Sequence, residues 1–211
     1  MEISGTDRFE RAAAGWEEKP RRIDRTRDVA EAIREAVALS PEMTALEIGC
    51  GSGLVTMALC DYLGTIVALD TSEEALKALQ AKIEDMGASN VTPLRLDLSV
   101  DPLPDLAVDL IFSSMALHHV ADPARMIERA GRLLRLGGFM CIADLDAEDG
   151  SYHGDNGERV HHGFSSEQMA ELFSAAGLEP VGSGVAHTIE RPRADGGTDA
   201  YPVLLSLGKK A

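Results

Sequence analysis

Short apolar runs alternate with amphipathic segments along most of the chain. Because each run is short and bounded by glycine, proline or polar residues, we predict that the runs form buried strands. Between them, apolar residues recur three or four positions apart, which predicts helices. Strands that alternate with helices are typical of a parallel sheet covered on both faces. The five runs are residues 44–49, 65–69, 91–98, 108–114 and 139–145.

Capping signals bound several of the predicted helices. Thr71 and Glu74 have the spacing of a capping box, and we expect the helix they open to end at Gly87. Asp122 precedes a proline, a combination that predicts a helix from there to about Leu136. The remaining predicted helices cover residues 28–39, 54–63 and 165–177.

The C-terminal region has a different pattern. Residues 181–190 and 201–207 are strand-like and are joined by a turn-rich link, which predicts a hairpin that adds an antiparallel strand. In parallel α/β sheets, ligands bind outside the carboxyl ends of the strands. We therefore look for function at residues 49–53, 70–72, 97–99, 113–119 and 144–149.

Size and charge narrow the class of function. The chain has 211 residues, enough for one large domain, and its net charge is −15. Such an acidic surface argues against binding to nucleic acids or anionic membranes. Only 4% of the residues are aromatic, which also argues against a base-stacking surface.

The cysteines and the start of the chain predict a cytoplasmic protein. The three cysteines lie far apart and form neither a disulfide framework nor a CxxC zinc motif. The first residues are charged and show no secretory leader. No stretch is long and apolar enough for a membrane helix.

A glycine-rich turn follows the first predicted strand. Asp70 lies 21 residues after Gly49, at the end of the second strand, where a carboxylate can accept hydrogen bonds from ribose hydroxyls. The turn has the pattern G-x-G-x-G, and Leu54 stands where a dinucleotide motif has its third glycine. Glu47, just before the turn, would repel a pyrophosphate and would suit a cationic ligand.

These residues carry a family resemblance. LEIGCGSG, then Asp70, LRLDLS, DLIFSSMALHHV and LLRLGGFMCIADL are similar to the ordered motifs of class I S-adenosylmethionine-dependent methyltransferases. The similarity covers about residues 43–180 and is greatest to the small-molecule group that includes ubiquinone-biosynthesis-like enzymes. It implies a Rossmann-like, doubly wound α/β sheet of seven strands, mostly parallel, with a closing antiparallel hairpin strand. It also implies methyl transfer from S-adenosylmethionine to a small molecule by in-line displacement.

The resemblance further implies a set of cofactor contacts. Asp70 would hold the ribose, Thr71 would lie by the adenine, and Asp97 and Leu98 would bind the adenine ring. Two alternatives stay open, because Glu47 can belong to a structural network and Asp97 can simply form a turn. The full set is Glu47, Gly49, Cys50, Gly51, Asp70, Thr71, Asp97, Leu98 and Ser114.

Histidines concentrate on the expected acceptor side. Five of the six follow the fourth and fifth strands. We assign acid–base work to His153 and His162, oriented by Asp144, and substrate contacts to His119 and His161. The same groups could instead build a metal site, or the segment could be a solvated loop; of these we expect no metal.

The domain prediction is one methyltransferase domain over residues 1–211. Residues 1–40 are predicted to be a helical lid, 43–180 the cofactor-binding core and 181–211 the hairpin. Trp16, the single tryptophan, would contact substrate from the lid, or else pack on the sheet edge.

Two rival functions stay open beside methyl transfer. One is an NAD(P)-dependent oxidoreductase of related fold, and the other is a non-catalytic S-adenosylmethionine-binding protein. A small-molecule acceptor is the expected partner, and a homodimer is left open. The acceptor and its reacting atom do not follow from the sequence.

Overall fold

Seven strands form a single mixed sheet in the part of the chain that the computed structural model describes, residues 19–154, 160–193 and 195–211. Across the sheet the strands lie in the order β3-β2-β1-β4-β5-β7-β6. The first five are parallel, and β7 runs antiparallel to both of its neighbours. The topology confirms the predicted fold class. The strands are β1 (Thr44–Ile48), β2 (Thr65–Asp70), β3 (Val91–Arg95), β4 (Val108–Ser114), β5 (Leu134–Leu145), β6 (Glu179–Pro192) and β7 (Thr198–Lys209).

Five α-helices accompany the strands within the described ranges. The first begins at Pro20 rather than at residue 28, because a proline suits the first helical turn, where its missing N–H costs nothing. A short 3₁₀ turn, Cys60–Tyr62, extends the second. None of the helices in the described ranges is long and apolar enough to span a bilayer. The helices are α1 (Pro20–Ala36), α2 (Leu54–Leu59), α3 (Glu73–Met86), α4 (Pro123–Leu133) and α5 (Ser166–Ala175).

The start of α3 corrects one predicted cap. Ser72, and not Thr71, is the N-cap, and its hydroxyl accepts a hydrogen bond from the Ala75 N–H at 3.2 Å. The helix begins at Glu73, one residue later than the predicted capping box of Thr71 and Glu74 requires. Thr71 therefore lies between the end of β2 and the N-cap. At the other end of α3, Gly87 adopts the left-handed conformation expected of a C-cap.

The end of α4 also differs from its prediction. The helix stops at Leu133, and the chain enters β5 at Leu134 instead of continuing to Leu136. Near this point the β4–β5 register shifts, which marks a bulge. The Gly137 N–H donates to the Lys210 carbonyl at 2.7 Å, and the Lys210 N–H donates to Gly138 at 2.9 Å. These bonds to the end of the chain draw the residues after α4 into the sheet.

The sheet buries apolar side chains on both faces. Successive residues of β1 and β4 alternate between two core clusters, as the two-residue period of a strand requires. On one face, α1, α2 and α3 supply the packing residues, among them Ile33, Met57 and Leu79. On the other, α4 and α5 supply Met126, Phe173 and their neighbours. The doubly wound arrangement leaves the carboxyl ends of the parallel strands open at one edge.

The hairpin of β6 and β7 is tied to the N-terminal helix. α1 packs against α2 and against both hairpin strands. The His187 ring on β6 lies 2.8 Å from a carboxylate oxygen of Asp28 on α1, measured at Nδ1. The helix therefore covers the hairpin end of the sheet.

Candidate functional site

A cavity of about 730 Å³ opens at the carboxyl ends of β1, β2 and β4. This is the edge at which the alternating pattern predicts a ligand. Six of the predicted cofactor residues line it, and a histidine closes one side. These lining residues are Gly49, Gly51, Asp70, Thr71, Asp97, Leu98 and His119.

The glycine turn after β1 brings its backbone to the cavity. Gly49 has φ of +68°, and a Cβ there would lie 2.4 Å from the Ala116 Cβ, so the close approach of the two loops requires glycine. Gly51 has φ of +53°, and a Cβ there would meet no atom within 4 Å. The open space beside Gly51 is where a ligand can approach the backbone.

Asp70 shapes the same turn. One of its carboxylate oxygens accepts from the Gly51 N–H at 2.7 Å, and the other accepts from the Ser72 N–H at 2.9 Å. Each carboxylate oxygen has a second acceptor position, so the group can also accept from hydroxyls in the cavity. Asp70 therefore fits ribose binding while it holds the loop.

Asp97 and Leu98 form the wall after β3. The Asp97 carboxylate accepts from the Ser99 N–H at 2.8 Å, and the Asp97 N–H donates to Asp101 at 2.8 Å. Asp97 thus forms a turn and also lines the cavity. The Leu98 side chain is buried and packs in the core below. Turn formation explains why β3 ends at Arg95 rather than at Leu98.

Glu47 lies behind the loop and is not among the residues that line the cavity. It is 1% exposed and accepts a short hydrogen bond from the Thr56 hydroxyl. Burial raises its pKa to about 8 from the ordinary value of 4.5. The carboxyl therefore supports the loop from the core side, where the neutral form is favoured.

Cys50 and Ser114 also lie outside the cavity lining. The Cys50 N–H donates to the Leu69 carbonyl at 2.8 Å, which joins the turn to β2. Burial, and then the carboxyls of Glu47 and Asp70, raise the pKa of the Cys50 thiol above its ordinary range. The thiol therefore stays protonated, which argues against a nucleophile. Ser114 ends β4 in register with Ala143 on β5.

Backbone strain follows β4. Met115 has φ of +55°, the only positive value among the non-glycine residues that the structure describes. Its N–H donates to the Ala143 carbonyl at 2.8 Å, and the residue lines the cavity. Strained residues of this kind cluster at functional sites, because the surrounding structure must hold them in place.

A buried histidine–carboxylate pair stands beside the cavity. His118 Nδ1 lies 2.5 Å from a carboxylate oxygen of Asp144, and both side chains are almost fully buried. Because a carboxylate accepts, Nδ1–H is the donor, and Nε2 is the remaining nitrogen of the ring. Asp144 also accepts from the backbone N–H of His118 at 3.2 Å and of Leu145 at 2.8 Å. The pair joins the ends of β4 and β5.

Two further imidazoles surround this pair. The ring centroid of His118 lies 4.1 Å from that of His119 and 5.1 Å from that of His153, and the last two are 5.5 Å apart. We call His118, His119 and His153 the histidine cluster. The sequence predicts roles for His119, His153 and Asp144 and assigns no site role to His118. The signal was available, since His118 follows β4 and Asp144 ends the neighbouring strand.

The hairpin holds the segment that carries His153. The Arg191 guanidinium of β6 lies 3.9 Å from the centroid of the Tyr152 ring and donates to the Tyr152 carbonyl. The Tyr201 ring of β7 meets the Tyr152 ring edge-on at 5.2 Å. From α1, the Arg25 guanidinium lies close to Tyr152, and burial lowers the pKa of this guanidinium.

The other two candidate histidines lie elsewhere. The His161 Nε2 is 3.1 Å from the Val120 carbonyl, and its ring packs near Phe164. The His162 ring packs against Gly150, where a Cβ would approach it to 2.8 Å. Both line a separate depression that also includes Glu148. Trp16 lies outside the described residues.

Comparison with known proteins bears on this fold and site. Residues 46–142 match the family described as Methyltransferase domain. An uncharacterized methyltransferase of Schizosaccharomyces pombe is 27% identical over 190 residues, which are 80% of this chain and 67% of that protein. A ubiquinone biosynthesis O-methyltransferase of Nitrosomonas europaea is 28% identical over 123 residues, or 57% of this chain and 51% of that protein.

A solved structure supports the fold. An S-adenosylmethionine-dependent methyltransferase from Aquifex aeolicus superposes with a TM-score of 0.65 at 22% identity and covers 97% of this chain and 99% of that one. The match to the methyltransferase domain over residues 46–142, together with the fold and cavity described above, supports a class I S-adenosylmethionine-dependent methyltransferase. The same findings imply S-adenosylmethionine as the cofactor. The chain spans about half the length of most of the curated relatives it matches.

Proposed function

We propose that this chain transfers a methyl group from S-adenosylmethionine to a small-molecule acceptor that approaches from the histidine cluster. One observation carries the proposal. A single cavity has carboxylates suited to an adenosyl group, Asp70 and Asp97, along one side, and His119 of the cluster on another. Cofactor and acceptor groups can therefore meet within one site.

The residues present fit the cofactor. Gly51 leaves open space beside the backbone, and Asp70 can accept from ribose hydroxyls while it holds the turn. We assign Asp97 and the Leu98 backbone to the adenine, Thr71 to its flank, and Gly49 to the methionine end. Leu54 stands where a dinucleotide motif has its third glycine, which weakens the case for a nicotinamide cofactor. The bound cofactor supplies a methyl group on a sulfonium, which is already a good leaving group.

The protein's own task is then to position the acceptor and keep the site dry. His153 is the residue we place against the acceptor, to orient it or accept its proton, with His119 beside it. Asp144 acts through His118, because its carboxylate holds that ring in one orientation. His162 was a candidate for the same role; its separate position supports a smaller contribution.

We also propose that residues 1–40 close over the acceptor side. The contact of Arg25 with Tyr152 supports this role, since it brings α1 to the segment that carries His153. A role for Trp16 in the lid stays a prediction. So do the homodimer and the cytoplasmic location, while the net charge of −15 argues against a nucleic-acid acceptor.

Calorimetric titration tests the cofactor assignment. We expect S-adenosylhomocysteine to bind one-to-one and NAD and NADP not to bind. Tighter binding of a nicotinamide cofactor would overturn the proposal.

Turnover of methyl-labelled S-adenosylmethionine against a panel of small hydroxyl, amine and thiol metabolites tests catalysis. We expect label to appear in a member of the panel, at a rate that falls in the His153→Ala variant. If methyl transfer is equally fast without His153, the histidine cluster does not act on the acceptor.

A further inference from the structure

Against the expectation from the sequence, we propose that the histidine cluster binds one divalent transition-metal ion of the class that prefers imidazole ligands, such as Zn²⁺. The cluster offers three ring nitrogens, one each from His118, His119 and His153, and these atoms all lie within 4.8 Å of one another. A tetrahedral Zn²⁺ site with nitrogen ligands places them roughly 3.3 Å apart. Binding of an ion would therefore require the rings of His119 and His153, the more accessible members of the cluster, to move closer to His118.

The buried member of the cluster has the hydrogen bond that commonly supports a metal ligand. Its Nδ1–H donates to Asp144, so Nε2 of His118 faces away from the carboxylate. A metal-binding histidine commonly donates its other ring N–H to a carboxylate, which sets the tautomer and raises the basicity of the ligand. The backbone N–H groups of His118 and Leu145 hold Asp144 in turn. The supporting groups of a metal ligand are thus present as well as the ligand.

The ligand set selects the kind of ion. Three neutral imidazoles suit Zn²⁺, Ni²⁺ or Co²⁺, whereas Mg²⁺ and Ca²⁺ prefer oxygen ligands. Three protein ligands also leave a fourth position of a tetrahedral ion open, as in catalytic zinc sites. The site therefore resembles a catalytic metal site more than a closed structural one.

The open position has a place in the proposed reaction. His119 belongs to the cluster and to the cavity wall, so an ion held by the cluster borders the cofactor cavity. With the ion bound, His119 and His153 would act on the acceptor through it: an acceptor oxygen or sulfur on the ion would lose its proton to water more readily and be held beside the methyl group. This second step rests on the proposed function, whereas binding of the ion does not.

Calorimetry on the metal-free full-length chain, without a polyhistidine tag, tests the binding. We expect Zn²⁺ to bind one-to-one, Co²⁺ to give the intense visible absorption of tetrahedral coordination, and Mg²⁺ not to compete. His119→Ala and His153→Ala should each weaken Zn²⁺ binding more than about 10-fold, and Asp144→Asn should weaken it by about 10- to 100-fold. His119 is exposed and His153 only partly buried, so these variants should fold even if a His118 variant does not.

His187→Ala is the matched control. It removes one imidazole that pairs with Asp28, away from the cluster, and should leave Zn²⁺ affinity unchanged. Absence of one-to-one Zn²⁺ binding, equal binding of Mg²⁺, or Zn²⁺ binding that survives both His119→Ala and His153→Ala would overturn the site. Binding of S-adenosylhomocysteine should be measured in the same variants. This measurement tests the cofactor assignment separately, because that assignment does not depend on the metal site.

Discussion

The two sides of the cavity are built in different ways. On the cofactor side, carboxylates hold the backbone of the loops, as in the hydrogen bond from the Gly51 N–H to Asp70, 19 residues further along the chain. On the acceptor side, side chains from distant segments meet: His118 pairs with Asp144, and Arg191 packs on Tyr152. A backbone site depends on few side chains, whereas a side-chain site can change with single substitutions. We infer that cofactor binding is the more tolerant property and acceptor choice the more variable one.

The largest expected effect concerns Glu47, the buried residue behind the glycine turn on the cofactor side. Glu47 has a pKa raised by burial to about 8, well above its ordinary 4.5. Below pH 4.5 the group is protonated in both folded and unfolded chains, and its full contribution to stability is present. As the pH rises to about 8, the unfolded chain ionises first, and the free energy of unfolding falls.

Glu47→Gln removes this loss because an amide does not ionise. Between acidic pH and about pH 8, the free energy of unfolding of the variant should rise by on the order of 3–5 kcal/mol relative to that of the parent. Urea unfolding of both proteins across that range measures the difference. A constant difference at every pH would mean that Glu47 is ionised in the folded state, and that the cofactor side is supported by a charge.

The next effect separates the two sides directly. His153→Ala should lower turnover by roughly 100-fold, the low end of what a positioned acid–base group contributes. Affinity for S-adenosylhomocysteine should stay the same, since His153 does not line the cofactor cavity. His162→Ala is the comparison and should have a smaller effect on turnover. If cofactor affinity falls with turnover in His153→Ala, the two sides are not independent.

Asp70→Ala gives the complementary result. Cofactor binding should weaken by roughly 1.5–3 kcal/mol, the loss expected for hydrogen bonds to a charged group. Calorimetry with S-adenosylhomocysteine measures it. Unchanged affinity in Asp70→Ala would mean that this carboxylate only holds the shape of the turn and does not bind the cofactor.

The smallest expected effect concerns the helix that follows Asp70. Ser72→Ala removes the hydroxyl that caps α3 and should reduce the free energy of unfolding by about 1 kcal/mol. Thr71→Ala should change stability less, because Thr71 does not cap the helix. Thermal unfolding of both variants decides between the two residues. A larger loss in Thr71→Ala would restore the cap predicted from the sequence.

Local signals explain how much of the fold the sequence predicts. Apolar runs, glycines and caps act over a few residues, so the five parallel strands and the hairpin follow from them. The predicted end of α4 is wrong because a distant segment decides where that helix stops. Residues 134–138 join β5 because the end of the chain pairs with Gly137 and Gly138, and nothing near those residues signals that contact.

The same distinction holds within the candidate site. The turn after β1 and Asp70 can be predicted because spacing along the chain sets their geometry. The grouping of histidines could not be predicted, since proximity in sequence suggested His161 and His162 as much as His153. His161 and His162 lie apart from His153 because of the path of the segment after β5 and the aromatic contacts that hold Tyr152. Such contacts join residues about 50 positions apart, and no local pattern encodes them.

The anchoring of Tyr152 by the hairpin bears on how the protein is made. All residues that line the cofactor cavity lie between Ile48 and Met126, so a ribosome has produced every one of them before β5. Arg191 and Tyr201 emerge much later. A nascent chain thus contains the residues of the cofactor side well before the residues that hold the acceptor side in place. The two sides of the cavity are therefore completed one after the other during translation.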